Sequence, residues 1–134
     1  MGTNYYLHAP SCPHCGHEME ESVHLGKSSW GWCFGLHIYP ENGINNWEDL
    51  TNFIWFKTEN DGWKIKDEYG MIIAYEEFLE IVCQRQGKNA CEEQWLAINH
   101  AVKGPFGLAR HQIDDWHCIG HGEGTYDYLI GDFS

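Results

Sequence analysis

Two cysteines two residues apart carry the clearest chemistry in this chain. Cys12 and Cys15 stand in "CPHCG". The two-residue gap lets both thiolates face one ion, and Gly16 permits the backbone turn beneath them. This is the form of a zinc knuckle, half of a tetrahedral site. A structural zinc takes four ligands, and the chain has no second Cys-x-x-Cys, so histidines are the natural completion.

Nine histidines compete for that role. His24 and His37 fit best, because each lies in an expected strand. A turn centred near position 30 or 31 sets them almost opposite each other, where Cβ atoms are about 4.5–5.5 Å apart. The expected site is one structural Zn2+ held by Cys12, Cys15, His24 and His37. His14, between the two cysteines, would have to strain the loop to reach the same ion. His117 and His121 are four apart in "WHCIGHGEG", a poor helix. In a strand that spacing is about 13 Å at ~3.3 Å per residue, so both cannot bind one ion, although either, or Cys118, can replace a member of the quartet.

A catalytic zinc instead keeps three protein ligands and an open position for water. "HCIGHGEGTYDY" places His117, His121, Glu123 and Asp127 close in sequence, and histidine beside carboxylate is what general acid–base work requires. The alternative function is therefore a metal-dependent hydrolase or nuclease using His117, His121 and Glu123 near the metal. The His-x-Glu then Pro-Cys-x-x-Cys order of zinc deaminases is absent, and spacing yields no nucleophilic triad. "HLGKSSWGW" is no phosphate loop, since the required glycine position holds Glu21. Lys27, Ser28, Ser29, Trp30 and Trp32 read instead as a partner-binding turn, a cation beside aromatic anchors.

These residues need a scaffold, and its elements are legible. "TNYYL" is β-prone, and "ESVHL" and "WGWCFGLHIY" read as strands joined across "GKSSWG". "PENGIN" is a loop. "NWEDLTNFIWFK" is a helix capped by Asn46, with Trp47, Leu50 and Ile54 on one face. "GWKIKDEYGMIIAY" is a hairpin turning at "DEYG". "YEEFLEIVCQRQG" is a helix with Tyr75, Phe78, Leu79, Val82 and Cys83 as its apolar stripe, which makes Cys83 a buried thiol. "NACEEQWLAINHAVKG" is a third helix with Cys91, Trp95, Ile98 and Val102 inward, and "WHCIGHGEGTYDYLIGDF" is a closing hairpin. Strands and helices do not alternate strictly, which favours one α+β domain spanning residues 1–134.

Composition bounds the function. The chain has 134 residues, 43% apolar and 15% aromatic, enough for a real core. Eight basic against twenty acidic residues leave a net charge of −12. That charge repels phosphate backbones and anionic membranes, so a nucleic-acid reader is not expected. No run of eighteen apolar residues spans a membrane. "MGTNYYLHAP" lacks the basic and apolar regions of a secretory signal, and Tyr6 weakens a myristoylation reading. The six cysteines are accordingly expected in a reducing cytoplasm, as ligands and buried thiols and not as disulfides.

"MGTNYYL", the "CPHCG" knuckle, "HLGKSSWGWCFGLH" and "HCIGHGEGTYDYLIGDFS" together resemble a group of small, uncharacterised bacteriophage proteins. The resemblance implies synthesis in an infected bacterial cytoplasm and brings no activity with it. The function expected is a small acidic zinc-binding module acting on a host or phage protein. Mimicry of DNA at a host site is an extension of the same charge argument.

Overall fold

The computed structural model describes residues 2–10, 22–29, 31–84, 93–114 and 117–131. The chain forms β1 (Gly2–His8), β2 (Ser22–Ser29), β3 (Phe34–His37), α1 (Trp47–Asn60), β4 (Lys64–Asp67), β5 (Ile72–Ile73), α2 (Tyr75–Cys83), α3 (Glu93–Ile98), β6 (Ala101–Lys103), β7 (Ala109–His111), β8 (Cys118–His121) and β9 (Tyr126–Leu129). This is a mixed α+β fold. Seven strands make one sheet in the order β5-β4-β1-β2-β3-β9-β8, and β6 and β7 form a small second ladder. Among the described strands every pairing is antiparallel except β3 with β9, which run parallel with Gly35 beside Asp127 and His37 beside Leu129.

Alternation along the strands divides the large sheet into two faces. Tyr5, Leu7, Leu25, Phe34, Leu36, Ile65, Ile73 and Tyr126 point to one face and meet Leu50 and Ile54 of α1 and Phe78 and Val82 of α2. Phe78 sits edge-on to Phe34, with ring centroids 5.9 Å apart. Truncating such a fully buried phenylalanine to Ala costs about 3–5 kcal/mol. The helices are fixed at their ends as well as by their apolar faces. The Asn46 side chain accepts from Asp49 N at 2.8 Å, and Glu48 and Asp49 sit at the positive end of α1. Trp47 N donates to Tyr128 Oη, tying α1 to β9. Thr125 Oγ1 donates to the Val82 carbonyl at 2.7 Å, tying β9 to α2.

Three expectations need correction. The "GKSS" residues are not a turn, because β2 continues through Ser29, where it pairs with Gly2 of β1. The third helix stops at Ile98. His100 takes a left-handed φ of 54°, and Ala101–Lys103 pair as a strand with β7. Long-range pairing overrides helix propensity there, and Trp95 and Ile98 are 40% and 77% exposed instead of facing inward. Cys83 is exposed, because the stripe of α2 runs through Phe78, Ile81 and Val82, one residue short of it. Cys91 lies outside the described residues. Asn46 as cap, the β4–β5 hairpin and the β8–β9 hairpin fall where the sequence placed them.

Candidate functional site

The sheet face opposite α1 and α2 carries the candidate site, and a single extra residue in β2 creates it. β2 pairs with β1 as Tyr5↔Gly26 and then Tyr6↔His24, so Leu25 is a bulge. On its other side β2 pairs with β3 as Gly26↔Leu36 and Lys27↔Gly35. Continued evenly, that register would set His24 opposite Ile38 and put His24 and His37 on opposite faces. The bulge turns both Leu25 and Gly26 to the core side and returns His24 to the face of His37. Gly26 has a φ of 155°, and a Cβ there would collide with the Phe34 ring and the Gly35 carbonyl.

The two imidazoles consequently meet. His24 Nδ1 lies 2.9 Å from His37 Nδ1, and His24 Nε2 lies 2.9 Å from Asn4 Oδ1. Tyr39 Oη donates to the His24 carbonyl at 2.7 Å and stands 3.3 Å from His37 Nδ1. The Tyr39 ring stacks on His37 at 4.2 Å with 16° between planes, and the Tyr6 ring flanks His24 at 5.2 Å. Asn4 and His37 are each only 8% exposed. Burial pushes the Tyr39 phenol up to about 12; Glu41 adds to the shift and the bond to the His24 backbone opposes it. Tyr39 therefore stays a neutral donor at any ordinary pH.

Two nitrogens at ~2.0–2.1 Å from a tetrahedral zinc lie about 3.3 Å apart. The facing Nδ1 atoms fit such an ion after separating by a few tenths of an ångström. Cys12 and Cys15 lie outside the described residues. His8 pairs with Ser22, each two positions along its strand from the Tyr6–His24 pair. Among the described residues no group of three or more His, Cys, Asp or Glu comes together as a metal site; His24 and His37 supply two.

The other sequence candidates fall elsewhere. Lys27, Ser28 and Ser29 are half-buried in β2. Trp30 lies outside the described residues. Trp32 is half-buried between His111, at 4.7 Å, and Trp95, at 5.5 Å. His117 precedes β8 in a turn with φ 68°, His121 ends β8, and Glu123 is exposed in the turn to β9. His121 Nε2 lies 2.6 Å from the His111 carbonyl, which can only accept, so this nitrogen carries the proton.

A second polar cluster escaped the sequence reading. Asp127 is fully buried. Its Oδ1 accepts from Arg110 Nε at 2.6 Å, and its Oδ2 accepts from His111 N at 3.0 Å and faces His111 Nδ1 at 3.1 Å. Arg110 Nη2 also donates to the Gly124 and Tyr126 carbonyls. Asp127 was visible as one member of an acid–base segment, but nothing in "LARHQID" flags Arg110 and His111. The cluster pins the β6–β7 ladder to β9, and a carboxylate saturated this way holds a histidine in a fixed tautomer.

The class defined so far is an α+β fold with a histidine pair on the face of a mixed sheet that lies opposite α1 and α2. No protein-family model matches the chain, and neither does any curated protein or solved structure.

Proposed function

We propose that this chain is a small acidic zinc-binding module of bacteriophage type, acting in the host cytoplasm on a host or phage protein. The observation that carries the zinc reading is the 2.9 Å approach of His24 Nδ1 to His37 Nδ1; Cys12 and Cys15 of "CPHCG" are the proposed remaining ligands. Two thiolates and two neutral imidazoles make a closed, charge-compensated tetrahedron. Such a site contributes folding energy and leaves no position for an activated water. Binding rather than catalysis then remains for the surface. The net charge of −12 favours a protein over a nucleic acid as the partner. Lys27, Ser28, Ser29, Trp30 and Trp32 remain the proposed contact residues. The described helices include none long and apolar enough to cross a membrane.

The test is affinity capture from bacterial lysate with the wild type and with Lys27→Ala, each checked for native circular dichroism. The wild type is expected to retain a defined protein that Lys27→Ala loses. Equal capture by both removes this surface from the proposal.

One observation favours the hydrolase alternative. Asp127 pairs with His121 and with Gly35, so the His111–Asp127 pair shares the sheet face of His37. Against it, His117 and His121 stand at opposite ends of β8 and Glu123 points into an exposed turn. Assay of the zinc-loaded protein on simple ester and phosphodiester substrates is expected to give no turnover.

A further inference from the structure

We propose that Trp55 and Tyr75, on the helix side of the sheet, form a receptor for an arginine side chain carried by a basic segment of a protein partner. This rests on the reading that the partner is a protein, and on neither the zinc nor the Lys27 surface. Trp47, Leu50 and Ile54 give α1 its inward face. Trp55 lies about 100° further round the helix than Ile54 and is 48% exposed. Its ring meets that of Tyr75, the first residue of α2, edge-on at 5.2 Å. Two rings from two helices thus make an aromatic corner at the surface.

Carboxylates border this corner. Glu59 stands one turn along α1 from Trp55, and Glu76 follows Tyr75; both are exposed. Burial pushes the Tyr75 phenol up, a hydrogen bond with Thr51 opposes the shift, and the nearby Glu76 charge adds to it. Elsewhere on α1 the chain supplies its own cation to aromatic faces. Lys57 Nζ lies 4.9 Å from the Trp63 ring centroid and 5.8 Å from that of Phe53, and it pairs with Asp61 at 3.6 Å. Lys57 is about 200° round the helix from Trp55. Among the described residues neither Trp55 nor Tyr75 carries such a cation. A cation set on the indole face, with carboxylates in reach, is attracted by the ring quadrupole and by charge together. A guanidinium lies flat on an indole and donates to a carboxylate from the same plane, which an ammonium cannot match. Trp, Tyr and Arg are also the usual anchors of protein interfaces. The net charge of −12 disfavours the other occupants. A second copy would bring the same carboxylates against this corner, and phosphate backbones and anionic lipids are repelled.

NMR titration of the 15N-labelled full chain with a short alternating arginine–glycine peptide, and with its lysine counterpart, tests this through the indole N–H signals. The Trp55 signal is expected to shift saturably with the arginine peptide, and the lysine peptide to bind about twofold or more weakly. Trp55→Ala is expected to weaken binding of the arginine peptide about threefold. Glu59→Gln combined with Glu76→Gln should weaken it too and flatten its dependence on salt. The wild-type titrations decide the matter even if a variant fails to fold. A Trp55 signal that the arginine peptide does not move overturns the proposal. Equal binding of the two peptides, or a Trp55→Ala variant that binds as well as the wild type, marks attraction by charge alone and overturns it as well. Either result leaves the zinc reading and the Lys27 surface standing, because metal content and the Lys27→Ala comparison test those separately.

Discussion

His24 and His37 face each other Nδ1 to Nδ1 across 2.9 Å, and they do so because Leu25 is an extra residue in β2. The bulge depends on Gly26, where a Cβ would collide with the Phe34 ring and the Gly35 carbonyl. Gly26→Ala is expected to cost about 2–3 kcal/mol through overpacking at a positive φ. It should also break the histidine contact, read as altered His24 and His37 NMR shifts. Unchanged stability and shifts would mean that the bulge does not set the site.

The Arg110–Asp127 pair is expected to be worth more as a pair than either charge alone. Asp127 is fully buried, and Arg110 saturates one of its oxygens. Removing Arg110 strands a buried carboxylate, a loss of about 3–5 kcal/mol. The double variant Arg110→Ala, Asp127→Ala should be less destabilised than the sum of the singles. Urea unfolding of all four proteins gives the coupling energy, and additive losses would contradict the assignment.

Alkaline pH should destabilise the fold in two stages. Burial pushes the Cys118 thiol from 9.0 up to about 11; contact with the Gly120 backbone opposes the shift and the Asp127 charge adds to it. Burial also pushes Tyr39 and Tyr126 from 10.0 up to about 12. Below the unfolded values both states hold the proton and the full stability is present. Above them the unfolded chain loses its proton first, so stability falls as pH rises through the folded values. Unfolding midpoints should drop between about pH 9 and 11 for the thiol and continue to fall towards 12 for the phenols. Cys118→Ala should flatten the first stage, and an unchanged slope in that variant would exclude the thiol as its source.

Asn46→Ala offers a local control. Loss of the 2.8 Å cap to Asp49 N should cost about 0.5–2 kcal/mol and leave the histidine pair untouched. A variant as stable as the wild type would show the cap to be dispensable.

The parts of this architecture that local patterns encode were legible. Asn46 announces its helix because a polar cap precedes an apolar period. "DEYG" announces its hairpin, where the Asp67 side chain accepts from Tyr69 N and Met71 N. The proximity of His24 and His37 was legible for an incomplete reason: the actual β2–β3 register is one residue off the expected pairing and, continued evenly, would put them on opposite faces, and the bulge that corrects it has no outward sign beyond a glycine. The parallel pairing of β3 with β9 joins Phe34 to Tyr126, too far apart in sequence for any local signal. Arg110 and His111 become a cluster only through that pairing. They sit in a three-residue strand whose pattern says nothing of a buried acid on another strand.

The most direct test of the central claim is the metal content of the purified full chain, wild type against a Cys12→Ser, Cys15→Ser variant and against His24→Ala and His37→Ala. The account predicts close to one zinc per wild-type chain, almost none in the double cysteine variant, and reduced zinc with a lower melting temperature in each histidine variant. A wild type without zinc, or a double cysteine variant that retains all of it, would contradict the account.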